Sequence, residues 1–237
     1  MSTFDWRSAT GNLLERFPDN VRGVEAWQAF IRRLSELMRR TDIGGHEYYG
    51  ALHGIFDEYI RALDDVQKGN PTPECCVFVS HKRCDEDLAA RIAWIAVQKG
   101  FDYWLDVHDP VLPVIAGSSI PSPLRETIVA AFVEMALLNA THLIAVHTLR
   151  SHTSLWVPYE IGRAKSRDIW SAQVSGWFEP GQVAPIAGEY TYLMEQLANR
   201  ADIDRWLAAQ PVNRPPYCTV PKGTWKRPEE PPKLPSE

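Results

Sequence analysis

From Cys75 onward, short apolar runs alternate with amphipathic stretches of about ten to fifteen residues, and that alternation leaves few folds open. Cys75–Ser80 reads as a strand buried on both faces, because Cys-Cys-Val-Phe-Val-Ser is continuously apolar rather than alternating. Asp85 to Lys99 places Leu88, Ile92, Ile95 and Ala96 on one helix face and opens with acidic residues, which suit a helix N-terminus. Gly100 closes that helix, and Phe101–Leu105 is the next strand. A loop with Pro110, Pro113 and Pro121 leads to a helix carrying Leu124, Ile128, Phe132 and Met135. His142–His147 is the third strand, followed by a helix from about Leu155. Beyond Ser171 the pattern thins to a strand across Ala172–Phe178 and a helical stretch between Tyr190 and Leu207. Strands joined by helices imply right-handed crossovers, so the expected class is α/β with a parallel sheet covered on both faces.

Upstream, residues 1–68 read as helical. Trp27, Phe30, Ile31, Leu34, Leu37 and Met38 recur at helix spacing, as do Tyr48, Leu52, Ile55, Phe56, Tyr59, Leu63 and Val66. Thr41–Gly45 breaks the two runs, which predicts a helical hairpin, with a shorter helix around Leu13–Phe17 before it. Such a hairpin is a structural cap or, alternatively, a partner-binding or self-assembly module. Residues 69–73 form a Gly/Pro linker, and the last 27 residues hold eight of the chain's 18 prolines. The expected division is therefore an N-terminal helical region (1–68), a linker (69–73), a sheet domain (74–210) and a Pro-rich tail (211–237) that is extended or disordered, draped on the surface.

Composition narrows the function. The chain has 237 residues, 45% of them hydrophobic and 23% charged, and no apolar run approaches the roughly 18 residues of a membrane helix. A net charge of -5 argues against direct nucleic-acid binding. The four cysteines (Cys75, Cys76, Cys84, Cys218) form neither a disulfide framework nor a zinc-spaced pair, and no export signal opens the chain. These features point to a reducing, cytoplasmic setting, with no membrane and no metal.

In an open parallel sheet, ligands gather beyond the carboxyl ends of the strands. The loops that qualify are Ser80–Cys84, Asp106–Pro123 and Thr148–Ser154. The first sets Ser80, His81, Lys82 and Arg83 before a helix, a combination suited to phosphate or pyrophosphate, or simply a solvated basic turn. No Gly-rich fingerprint of an oxidoreductase or nucleotide triphosphatase is present. Trp156-Val-Pro-Tyr-Glu160 places an indole and a carboxylate four residues apart, on one helix face, with Ser154 as the N-cap and Pro158 in the first turn. The carboxylate is either a partly desolvated catalytic group beside the indole or an ordinary surface glutamate. His142 and His147 should point to opposite faces of their strand, which denies them a shared metal. Cys84, near a helix N-terminus, is either reactive or inert packing.

Taken in order, these pieces resemble a bacterial TIR (Toll/interleukin-1 receptor) domain. Val77-Phe78-Val79-Ser80-His81-Lys82-Arg83 with Asp85 looks like the family's opening signature, and Gly100–Asp106 like its second strand. Leu143–Val146, Ser151 and Ser154–Glu160 look like the third strand and the helix behind it; Tyr190–Leu193 and Ile203–Leu207 are similar to the way many bacterial members finish. The resemblance covers residues 74–210. It implies a flavodoxin-like fold of five parallel strands, self-association through the TIR-like domain, and one of two functions. Many bacterial, plant and axonal members cleave NAD at the nicotinamide–ribose bond, some making a cyclic ADP-ribose signal in antiphage defence; animal receptor and adaptor members are interaction modules. NAD would be the substrate, with no cofactor. Glu160 would be the catalytic carboxylate, at the rim of a cleft where it weighs little in folding, and Trp156 would wall the pocket. Ser80, His81, Lys82 and Arg83 would line the phosphate side, and Asp106 with the proline-rich loop the opposite rim. The alternatives are a non-catalytic TIR scaffold and a receptor for a nucleotide signal. A partner protein at the N-terminal helices is a further expectation.

Overall fold

The computed structural model describes residues 13–15, 17, 21–40, 44–69, 76–109, 111–118, 120–165, 174–181, 189–210 and 230–235. In chain order they form α1 (Val24–Arg39), α2 (Gly45–Gly69), β1 (Cys76–Ser80), α3 (Glu86–Gln98), β2 (Asp102–Trp104), α4 (Leu112–Ala116), α5 (Ser122–Asn139), β3 (His142–His147), α6 (Trp156–Lys165), β4 (Val174–Phe178), β5 (Glu195–Leu197) and α7 (Arg200–Ala208). Contacts divide the chain into two compact units. Residues 76–108, 140–210 and 230–235 of the described set belong to the sheet unit; the N-terminal helices and Asp109–Asn139 form the other.

The sheet is five-stranded and all parallel, in the order β2-β1-β3-β4-β5, and helices flank it. That order is the doubly wound, flavodoxin-like one. Continuous burial of β1, β3 and β4 is what two covered faces require. Alternation along the strands sends Val77, Val79, Tyr103, Ile144, Val146 and Trp177 into one core with Ile92 and Ile95 of α3 and Ile203 and Trp206 of α7. The opposite face carries Phe78, Ser80, Ala145 and His147, and α6 packs against β1, β3 and β4. Strand order reverses between β1 and β3, so their exits flank the crevice where such sheets take ligands.

Two elements differ from the sequence expectation. Within the stretch read as helical between Tyr190 and Leu207, a turn and the edge strand β5 precede α7. Helix α4 stands inside the proline-rich loop, with Pro113 in the first turn, where a missing amide costs nothing. In the described part of the tail, Glu230–Pro235, which has no helix or strand, Leu234 is buried in the core of the sheet unit and Glu230 pairs with Arg91 at 3.0 Å. Residues 211–229 lie outside the described set.

Gly176 of β4 is a site of close approach. A Cβ there would lie 2.7 Å from Met194 Sδ and 3.0 Å from the rings of His147 and Phe178. The sulfur can move but two stacked rings cannot move freely, so Gly176→Ala is expected to cost about 1–3 kcal/mol, as overpacking does. Urea unfolding of the variant checks this.

In the other unit α1 and α2 pack on each other, as their stripes predict. Trp27 meets Phe30, Tyr59 and Phe17, and its ring lies 4.7 Å from Phe132 of α5. Tyr59 Oη donates to the Ala131 carbonyl at 3.0 Å. The turn into α1 uses Gly23 at φ 79°, where a Cβ would strike Leu138 and Leu63 at 2.8 Å. Helix α5 is buried on every side from Ala131 to Asn139, so its apolar pattern is broader than a stripe.

Candidate active site

Ser80 is the last residue of β1, on the α6 face of the sheet. Helix α6 starts as the sequence predicts: Ser154 Oγ accepts the Val157 amide at 3.3 Å, and Pro158 falls in the first turn. One turn further, Glu160 points at the sheet, and Ser80 Oγ donates to its Oε2 at 2.5 Å. The two residues are 80 positions apart in sequence and meet beside the crevice between β1 and β3.

Glu160 is only 7% exposed, so it is a buried carboxyl and not the rim glutamate expected from the sequence. Burial pushes its pKa from 4.5 to about 8; the Ser80 hydrogen bond opposes the rise and the charge of Asp106 adds to it. At neutral pH the unliganded carboxyl is mostly protonated.

Asp106 follows β2 in a short turn, Asp106–His108, and its Oδ1 accepts the Val107 amide at 2.8 Å. The same oxygen lies 3.5 Å from Nε2 of His81, whose side chain is 2% exposed. This is a close approach and not a hydrogen bond. Behind it, Tyr103 Oη and His108 Nδ1 are 2.9 Å apart, and burial foremost lowers the His108 pKa, against the opposing pull of Glu86 and Asp106. Ser80, His81, Asp106 and Glu160 are thus one group, and His108 and Tyr103 extend it. Sequence reasoning missed this last pair; the sole signal was their place at the carboxyl end of β2.

Lys82 and Arg83 stand differently. Lys82 Nζ donates to the Arg150 carbonyl at 2.8 Å and to Thr153 Oγ1, tying the β1 exit to the β3 exit. Asp85, read from the sequence as a helix-opening acid, is the buried anchor of the same tie. It accepts from Thr148 Oγ1 at 2.9 Å and pairs with Arg150 at 2.6 Å. Lys82 therefore carries a loop-bracing role that the phosphate expectation did not include. Arg83 is exposed in the turn Arg83–Asp85.

Trp156 does not seal the group as a buried wall. Its indole is 43% exposed and meets Tyr159 edge-on at 5.7 Å. Trp156→Ala is accordingly expected to cost about 1 kcal/mol, the scale of an exposed aromatic pair, and not the 3–5 kcal/mol of a core aromatic. Chemical denaturation separates the two.

His142 and His147 point to opposite faces, as alternation requires: the first lies between Phe101 and Trp206, the second stacks on Phe178. Burial lowers both to about 4, so both are neutral near pH 7. Among the described residues no cluster of His, Cys, Asp or Glu could hold a metal, and no helix is long and apolar enough to cross a membrane. Cys84 is exposed and Cys76 buried. The sequence matches no protein-family model and no curated protein.

Proposed function

We propose that this chain is a TIR-like enzyme that cleaves NAD at the bond between nicotinamide and ribose. The observation that carries the reading is the buried Glu160 carboxyl, held by Ser80 at the point where strand order reverses. Nicotinamide in NAD is already cationic, so it departs with the bonding electrons as a neutral molecule and needs no general acid. The usual second carboxylate of glycoside cleavage is then unnecessary. Charge develops on the ribose instead, and one desolvated anion beside it is worth most in such a dry setting. Ser80 orients that anion, and burial foremost, with the charge of Asp106, keeps its proton affinity high until the cationic nicotinamide ring arrives.

Water adding to the ribose carbon and losing a proton gives ADP-ribose; attack by an adenine nitrogen of the same molecule gives a cyclic product. Either product suits an immune effector or signal-producing enzyme of the antiphage kind. The competing reading is a non-catalytic scaffold, favoured by the exposed Leu149, Leu155, Trp156 and Tyr159 around the start of α6. The test is nicotinamide release from NAD by the full-length chain, over a range of protein concentrations and from pH 6 to 9. The enzymatic reading expects release that rises toward alkaline pH as Glu160 ionises, with an apparent pKa of about 8 in kcat/KM. No release at any concentration or pH would favour the scaffold.

A further inference from the structure

The described end of the chain, Glu230–Pro235, is a segment without helix or strand that contains Pro231, Pro232 and Pro235. It meets α3 through Arg91, whose side chain is 2% exposed. Arg91 Nη1 pairs with Glu230 Oε1 at 3.0 Å and reaches the Pro231 carbonyl at 3.4 Å. The guanidinium also lies over the Trp94 ring, 4.3 Å from its centroid, and Arg200 of α7 approaches the same ring at 5.5 Å. Four residues after Glu230, Leu234 enters the apolar core that α3 and α7 build on the sheet.

We propose that this face of α3 is a docking site for short proline-rich peptides of the form acidic residue, Pro, Pro, any residue, Leu, and that the chain's own C-terminal segment occupies it as an exchangeable strap. Each part of the sequence has a matching receptor. A carboxylate answers a buried guanidinium, which is costly to leave without one. Paired prolines hold an extended backbone that loses little freedom on docking, and the Pro231 carbonyl meets Arg91 Nη1 at 3.4 Å. Leucine fills the apolar opening. Exchange follows from the balance of terms. The segment contributes a buried leucine, a long hydrogen bond from Arg91 to the Pro231 carbonyl and an ion pair whose Glu230 side is 60% exposed and therefore screened, set against the ordering of its backbone. A segment held so lightly is retained mainly because its attachment to the chain keeps its local concentration high.

The test uses a fluorescently labelled peptide of residues 228–237 and two full-length proteins: the wild type and the double variant Glu230→Lys, Leu234→Asp. The double variant, its fold checked by circular dichroism, is expected to bind the peptide about tenfold more tightly or better, because its own strap no longer competes. Adding Arg91→Gln to that protein should weaken binding several-fold, and a peptide carrying the same two substitutions should not bind. The milder Glu230→Gln protein, which keeps Leu234 in place, should bind with intermediate affinity. The proposal is overturned if a folded double variant ignores the peptide, if the substituted peptide binds as well as the native one, or if Glu230→Gln binds no better than wild type.

Discussion

Glu160→Gln should lower nicotinamide release from NAD by about 100- to 1,000-fold, a loss of roughly 3–4 kcal/mol in transition-state stabilisation. The amide keeps the size of the side chain and can still accept from Ser80 Oγ, so the site stays assembled while the charge disappears. Because the charge matters only as the ribosyl cation forms, the loss belongs in kcat with KM little moved. The comparison should be made above pH 8, where the wild-type carboxyl is ionised; nearer neutrality the wild type itself is mostly protonated and the gap narrows. Asp106→Asn supplies an independent reading. Removing that neighbouring charge lowers the pKa of Glu160, so the alkaline rise of kcat/KM should move toward neutral pH. Equal rates for wild type and Glu160→Gln across the pH range would sink the catalytic assignment.

The strands that the sequence announces clearly are those whose local pattern has one physical solution. His142–His147 is six residues of apolar run with no competing period, and β3 has those bounds. The edge strand β5 exposes Glu195 and Gln196 and buries only Leu197; three such residues carry no strand signal, because an edge needs little hydrophobicity. Ser80 and Glu160 were both legible as candidates, each from its own neighbourhood. Their hydrogen bond was not, because an interaction across 80 residues is a property of topology and not of any window. Depth was illegible for the same reason. A glutamate one turn into a helix reads as a surface group, and only its position against the sheet makes it a buried acid. Trp156 is the converse: an aromatic residue reads as buried, yet here its neighbour Val157 takes the buried side of the first turn and Trp156 stays 43% exposed. Lys82 shows how much residue type alone leaves open. A cation near a helix start fits an anion on paper, and in the structure its ammonium also donates to a carbonyl and a hydroxyl from the β3 exit.

A buried acid with a raised pKa must also leave a mark on folding, and its sign is opposite to that of an ordinary salt-bridged carboxylate. Between pH 4.5 and about 8 the folded protein keeps the Glu160 proton while the unfolded chain gives it up. The folded state then binds more protons, so Glu160's contribution to stability is full below pH 4.5, falls as pH rises, and is exhausted above about 8. The full displacement corresponds to roughly 5 kcal/mol, reduced by any water that enters to hydrate the anion. His142 and His147 work against this slope in the wild type. Held neutral with pKa values near 4, they add stability as pH rises from there toward their unfolded value of 6.5. The absolute curve is therefore flattened, and the difference between Glu160→Gln and wild type isolates the carboxyl, since both proteins keep the histidines. That difference should be near zero at pH 4 and favour the variant progressively above it. By pH 8 it should reach about 2–4 kcal/mol and then level off. Paired urea titrations from pH 4 to 9 measure it directly. A variant less stable than wild type at pH 8 would mean that Glu160 is ionised and well solvated in the folded protein, and the alkaline activation expected of its chemistry would fall with it.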